Sequence, residues 1–117
     1  MSIVIVGIPV YNGEKSIKKV IDSVLNQTLQ DFEIIISDNA STDLTKNICE
    51  EYAKHDIRIK YIRQKKNLGY VKNFQYLVNS ANSKYFVWLS ADDFLESTFL
   101  QKNVDILDSK KNVAASV

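Results

Sequence analysis

Two hydrophobic periodicities alternate along the chain. The β-branched run Ile3-Val4-Ile5-Val6 is continuous, as in a strand buried on both faces. After Pro9-Val10-Tyr11-Asn12-Gly13, the apolar residues Ile17, Val20, Ile21, Val24 and Leu25 fall at helical spacing, which lays one stripe of a helix against a sheet. The alternation then repeats: a strand over 32–37, a polar turn over 38–42, and a helix over 43–54 with Leu44, Ile48 and Tyr52 one turn apart. A third strand is expected over 57–63. A loop through Asn67 and Gly69 leads to a third helix with Val71, Phe74, Leu77, Val78 and Ala81 inward. A fourth strand over 85–89 and a fourth helix over about 97–108 follow. Residues 112–117 read as a fifth strand cut at its end, so the domain is expected to continue past Val117.

Strands that alternate with helices across short polar turns predict parallel βαβ units with right-handed crossovers. The expected fold class is therefore a three-layer α/β/α arrangement around a mostly parallel, Rossmann-like sheet, with residues 1–117 forming one domain. At 117 residues, folding can bury roughly two-thirds of the unfolded chain's surface, enough for a core without disulfides. Cys49 is the single cysteine, which rules out an internal disulfide and a cysteine-based metal site; it reads as a small apolar helix residue. The 15 basic and 14 acidic residues nearly cancel. The densest basic group, Arg63, Lys65 and Lys66, lacks the interleaved aromatics of a strand-binding groove, so no nucleic-acid partner is expected. The longest apolar run, 3–10, contains Gly7 and Pro9 and is far shorter than the roughly 18 residues of a spanning helix. No secretion signal precedes it. A cytoplasmic location is expected, or a peripheral one at the inner face of the membrane for the full-length protein.

In an open parallel sheet, ligands bind outside the carboxyl ends of the strands, where loops and helix N-termini converge with free N–H groups. That rule selects four segments: Pro9 through Glu14, Asp38-Asn39-Ala40-Ser41-Thr42-Asp43, Asn67-Leu68-Gly69 and Ser90-Ala91-Asp92-Asp93. Adjacent Asp92 and Asp93 repel unless a cation or solvent relieves them. A hard divalent ion such as Mg²⁺ or Mn²⁺ binds through one or two carboxylates plus substrate phosphates; equally, the pair could cap the fourth helix. Asp38, at a strand terminus, could accept hydrogen bonds from a base or ribose, or close an Asx-turn. Asp43 reads as a helix cap. Tyr11 could stack on a base or fill the sheet edge, and Lys72 could meet a base or phosphate or be solvated. Gly13 and Gly69 are ordinary turn glycines unless a ligand approaches. His55, with no ligand partners at metal spacing, reads as a surface residue.

Taken in order, these segments resemble the family 2 glycosyltransferases. Ile8-Pro9-Val10-Tyr11-Asn12 matches the family's opening strand and turn, and Asp38 through Asp43 resembles its Asp-Asp-Gly-Ser-Thr-Asp element. Asn26-Gln27-Thr28, Asn67-Leu68-Gly69 and Ser90-Ala91-Asp92-Asp93 fall in the expected order. The resemblance covers essentially the whole chain and implies a GT-A type fold that holds a nucleotide-diphosphate sugar, usually of uridine, with Mg²⁺ or Mn²⁺. It implies that Pro9, Tyr11 and Glu14 line the base and ribose side, that Asp38 contacts the base, and that Lys72 and Ala91 help hold the nucleotide. Asp92 corresponds to the metal-binding aspartate of the family's Asp-x-Asp motif, with Asp93 as a further candidate. The implied reaction is inverting transfer to an acceptor hydroxyl, on a glycan or lipid-linked acceptor of the kind used in surface polysaccharide synthesis.

Two departures bear on that reading. Ser90 stands where many relatives carry the first aspartate of Asp-x-Asp, and the family's general base would lie beyond Val117, so the isolated chain is expected not to transfer sugar. The rival classes lack their turns: strand one is not followed by Gly-x-Gly-x-x-Gly, and no Gly-Lys-Ser or Gly-Lys-Thr occurs, which excludes a Rossmann dehydrogenase and a P-loop enzyme. A receiver module would order its carboxylates differently. A glycosyltransferase-like domain that binds nucleotide weakly, or serves as a scaffold, is the non-enzymatic alternative.

Overall fold

The computed structural model describes residues 2–109. In chain order the elements are β1 (Val4–Val10), α1 (Ile17–Leu25), β2 (Phe32–Asp38), α2 (Thr45–His55), β3 (Ile59–Arg63), α3 (Tyr70–Ser80), β4 (Tyr85–Trp88) and α4 (Phe99–Ser109). The four strands are parallel in the order β3-β2-β1-β4. All seven residues of β1 are buried, as the uninterrupted apolar run predicts for a central strand covered on both faces. Val4, Val6, Ile8 and Val10 point to one side, into the larger cluster with Ile17, Val20, Ile21 and Val24 of α1, Cys49 of α2 and Leu100 of α4. Ile5 points to the other side, where Ile35 and Leu77 of α3 form a smaller core. Each aliphatic side chain so buried contributes about 1.5–3 kcal/mol. The expected three-layer α/β/α architecture is what the chain adopts.

β1 runs four residues further than the β-branched run, through Gly7 and Pro9. A proline inside a central strand ordinarily removes a ladder hydrogen bond. Here the pairing of β1 with β4 ends at Gly7 opposite Trp88, with the Leu89 amide donating to the Gly7 carbonyl at 2.9 Å. Pro9, in phase with Gly7, presents its ring nitrogen to that same side, just past the point where β4 has left. β4 thus peels away where β1 has no donor to offer, and a crevice opens between their carboxyl ends. Gly7 itself is close-packed: a Cβ there would lie 2.7 Å from the Phe86 ring.

Helix α3 differs from its expected orientation. Leu77 is buried and Ala81 packs against its cluster, as expected, but Val71 and Val78 are 64% and 43% exposed and Asn73 joins Leu77 on the inward face. The reason is polar. The Ser37 hydroxyl donates to Asn73 Oδ1 at 2.5 Å, and Asn73 Nδ2 donates to the Ser37 carbonyl at 2.9 Å, and these buried bonds set the rotation of the helix about its axis. Element ends also shift. Ile57 is 95% exposed and precedes β3. Leu44 is 58% exposed and lies at the N-cap of α2 rather than on its inner face. His55 is exposed as expected, paired with Glu51 one turn back at 3.1 Å, and Cys49 is fully buried. The expected fifth strand over 112–117 lies outside the described residues.

The turn after β2 contains Ala40 at φ +64°, in the left-handed region that costs an L-residue roughly 1–2 kcal/mol. Ala40 stands where the Asp-Asp-Gly-Ser-Thr-Asp element that this turn resembles has a glycine. Ala40→Gly is expected to raise stability by about 0.5–1 kcal/mol, the relief of strain exceeding the added freedom of the unfolded chain. Urea denaturation at unchanged m-value checks this; a midpoint that stays put or falls would contradict the strain.

Candidate functional site

The site is built from the loops at the carboxyl ends of the strands, and its organising group is Asp38, the last residue of β2 and fully buried. Asp38 Oδ1 accepts hydrogen bonds from the Ser41 amide at 2.9 Å and the Ser41 hydroxyl at 2.6 Å. Oδ2 accepts from the Tyr61 hydroxyl at 2.5 Å and lies 3.6 Å from Arg63 Nη1. Ser41, held in this way, presents its oxygen to the Asn12 amide at 2.8 Å. Two further amides of the same loop follow suit, Gly13 to Thr45 Oγ1 at 2.9 Å and Glu14 to Asp43 Oδ2 at 3.1 Å. Asn12 Oδ1 returns the contact by accepting from the Thr42 amide at 2.8 Å. Asn12 sits at φ +50°, a conformation that asparagine tolerates better than most residues.

The carboxyl group of Asp43 also accepts from the Thr45 amide at 2.9 Å. Burial opposes its ionisation, but the bonds from Thr45 and Glu14 outweigh that and hold it below the usual carboxylate range. The third loop is tied in by Asn39, 4% exposed, whose amide donates to the Val10 carbonyl at 2.8 Å and whose Oδ1 accepts from the Leu68 amide at 2.7 Å. Gly69, at φ +86°, then turns the chain into α3.

These loops enclose a cleft of about 550 Å³, within the range of small-molecule sites. It lies at the switch point of the strand order, between β1 and β4, where such sheets place their ligands. Pro9, Tyr11, Ala91 and Asp92 line it. Tyr11 is 51% exposed on one wall and Tyr70, 62% exposed, stands on another. The Ser90 hydroxyl donates to Asp92 Oδ1 at 2.5 Å. Asp92 and Ser90 are hard oxygen donors, and they fit an ion such as Mg²⁺ or Mn²⁺ that completes its shell with water and phosphate oxygens. Among the described residues no cluster of three or more His, Cys, Asp or Glu side chains could hold a metal alone, so the remaining oxygens would come from a ligand.

Four expected site residues are placed elsewhere. Asp38 does not line the cleft; its oxygens are turned inward onto Ser41 and Tyr61, so it shapes the site instead of touching its contents. Glu14 and Lys72 are exposed and off the wall, because Glu14 is held by its amide on Asp43 and Lys72 follows the rotation of α3 set by Asn73. Asp93 is exposed and off the wall as well; its amide closes a turn onto the Ser90 carbonyl at 3.1 Å. Neither aspartate caps α4, which begins only at Phe99. Asn39 and Asn67, which belong to the strand-end segments without a role of their own, line the cleft, and so do Tyr70 and Asn73, which lie outside those segments. The one signal for Tyr70 was its position directly after a strand-end Asn-Leu-Gly turn.

Tyr61 supplies a pH prediction. Burial pushes its hydroxyl above the ordinary tyrosine value of 10.0, and donation to Asp38 adds to the shift; Tyr52 is raised likewise, by burial and then by its bond to Asp22. A group whose folded pKa is raised contributes stability that is complete below its unfolded pKa and is lost as pH rises beyond it. Stability is therefore expected to fall above about pH 10, and Tyr61→Phe or Tyr52→Phe should each flatten that decline in urea midpoints. An unchanged alkaline slope in both variants would contradict the assignment.

Residues 5–117 match the family described as Glycosyl transferase family 2. A glycosyltransferase of Haemophilus influenzae is 37% identical over 90% of this chain, which spans 32% of that protein. The chondroitin synthase of Escherichia coli is 37% identical over 84% of the chain, which spans 14% of that protein. The crystal structure of S. aureus TarS 1-349 superposes with a TM-score of 0.85 and 25% identity, covering 95% of this chain and 33% of that one, and TarS has also been solved with UDP and with UDP-GlcNAc. The chain thus spans a third or less of the length of these relatives. With its parallel α/β sheet, its strand-end cleft and a match across nearly its full length, the chain belongs to glycosyltransferase family 2.

Proposed function

We propose that this chain is the donor-binding part of a glycosyltransferase that takes a nucleotide-diphosphate sugar, a uridine one in particular. The observation that carries the reading is the cleft itself, which joins an aromatic and amide-lined end to an oxygen-donor end at the switch point of the sheet. Tyr11 and Pro9, with Asn39 and Asn67 nearby, offer the base and ribose a flat surface and neutral hydrogen-bonding groups. Ala91, Ser90 and Asp92 face the place where the diphosphate would lie. Support for uridine comes from TarS, solved with UDP and UDP-GlcNAc.

Asp92, with Ser90 beside it, would hold Mg²⁺ or Mn²⁺. Such an ion, when bound, neutralises charge on a departing diphosphate. The chain's own residues bind and orient: the β1–α1 loop is rigidly braced, so the donor meets a preformed surface. We assign no residue of this chain as general base; inverting displacement by an acceptor hydroxyl requires one, and we place it in the remainder of the full-length protein. The acceptor we propose is a glycan or a lipid-linked glycan, in keeping with a chondroitin synthase among the relatives. No described helix is long and apolar enough to cross a membrane, and we place the full-length protein in the cytoplasm or at the inner membrane face.

Calorimetric titration of the chain with UDP, GDP, CDP and TDP, with and without Mn²⁺, tests this. UDP binding that strengthens with Mn²⁺ is expected, and Asp92→Ala should weaken the metal-supported part at least about tenfold, or roughly 1.4 kcal/mol. If neither the folded chain nor the full-length protein binds any of the four nucleotides, the donor-site reading is wrong and a scaffold remains.

A further inference from the structure

Asn26-Gln27-Thr28 belongs to the ordered set of family-like segments, yet it lies away from the cleft and no role attaches to it so far. The structure shows what it holds. Between the end of β4 at Trp88 and the start of α4 at Phe99 the chain has no regular structure, so its backbone groups need partners from elsewhere. Beyond the bonds of Leu89 to β1 and of Asp93 and Phe94 within the stretch, those partners come from α1 and the residues flanking it.

The Ser16 hydroxyl, instead of capping α1, donates to the Ala91 carbonyl at 2.6 Å. Ser23 Oγ accepts from the Leu95 amide at 3.1 Å. Gln27 Nε2 donates to the Glu96 carbonyl at 2.6 Å, and Gln27 Oε1 accepts from the Leu100 amide at 3.0 Å. The Thr28 amide donates to the Ser97 carbonyl at 2.8 Å. Lys19 Nζ lies 4.4 Å from the centre of the Phe94 ring. Gln27 is 2% exposed, so water does not readily replace it, and its second Nε2 bond, to the Ser23 carbonyl at 3.0 Å, fixes the amide on its own helix.

We propose that Gln27 is a positioning residue for Asp92: by clamping both ends of the 96–100 stretch to α1, it fixes the connection that turns Asp92 into the cleft. The metal-related part of this inference rests on the proposed donor site; the positional part does not. The sheet alone does not aim Asp92, because β4 has ended four residues before it. Second-layer groups that orient a metal ligand typically alter metal affinity about 10–100-fold when removed.

The test uses the 117-residue chain carrying Gln27→Glu, which keeps the shape of the side chain but removes its donors. Hydrogen exchange is followed alongside UDP titration with and without Mn²⁺. Faster exchange confined to amides 91–100, with 38–45 unaffected, is expected, together with a loss of about 10-fold in the Mn²⁺-dependent part of UDP affinity and none in the metal-free part. Unchanged exchange at 91–100, a rise spread over the whole chain, or intact metal-dependent affinity despite local loosening would each overturn the proposal. If Gln27→Glu does not fold, Ser23→Ala removes the side-chain bond to the Leu95 amide, together with a bond to the Val20 carbonyl within α1, and should shift both readouts in the same direction by less; no shift overturns the proposal. Should the unsubstituted chain bind UDP without regard to Mn²⁺, the donor-site reading fails in its metal part, and exchange at 91–100 alone decides whether Gln27 positions the turn.

Discussion

A buried carboxyl group, satisfied by the turn that follows it and by the neighbouring strand, sets the shape of this domain. Asp38 stands at the end of β2, cut off from solvent, where an unpartnered polar group would cost several kcal/mol. Its partners come from three places in the chain: the turn that follows it, through Ser41; the next strand, through Tyr61; and Arg63 at that strand's end. Because Ser41 is fixed by Asp38, the Asn12 amide has a fixed acceptor, and the whole β1–α1 loop is registered against the β2–α2 turn. Removing one partner would leave others buried and unsatisfied, so the network favours one arrangement of the loops over many.

The cleft needs a second constraint, which the strand pairing supplies. Pro9 offers no donor on the side where β4 would continue, and β4 separates from β1 just before it. The result is the crevice at which the strand order reverses. Its walls are therefore made by backbone geometry rather than by cavities between side chains. Polar pairs then adjust the walls: Ser37 and Asn73 rotate α3, which brings Tyr70 to the lip and turns Val71 outward. The same device recurs on the opposite side of the sheet, where Ser16, Ser23 and Gln27 of α1 and its flank stitch down the irregular stretch that carries Asp92.

These observations explain why segments that look alike in sequence have different tasks. Asp38 and Asp92 both follow apolar strands and both resemble family aspartates. The first is enclosed by its own turn and by β3, and acts on the site through Ser41. The second stands on a connection that leaves the sheet, and it lines the cleft. Spacing along the chain does not separate the two cases, since the difference arises from what packs over each strand end.

From the sequence alone, the periodicities of 2.0 and 3.6, with short polar turns between them, determined the α/β class, the order of the elements and the strand ends at which the site lies. The ordered segments from Pro9 to Asp93 identified the family, and the strand-end position of Pro9, Tyr11, Ala91 and Asp92, which line the cleft, was legible because it is a local property of the pattern. The rest was decided by tertiary structure. Leu77 of α3 was read correctly as inward, but Val71 and Val78 were misplaced because a buried Ser37–Asn73 pair, separated by 36 residues, competes with hydrophobicity and turns them outward. Glu14, Lys72 and Asp38 read as contacts, yet the first two lie off the cleft and the third is consumed by its own neighbours, Tyr61 lying 23 residues away. Tyr70, Asn73 and the clamp at Gln27 emerged only once the sheet had brought distant loops together, because a hydrogen bond between groups far apart in the chain leaves no periodic trace in the order of residues.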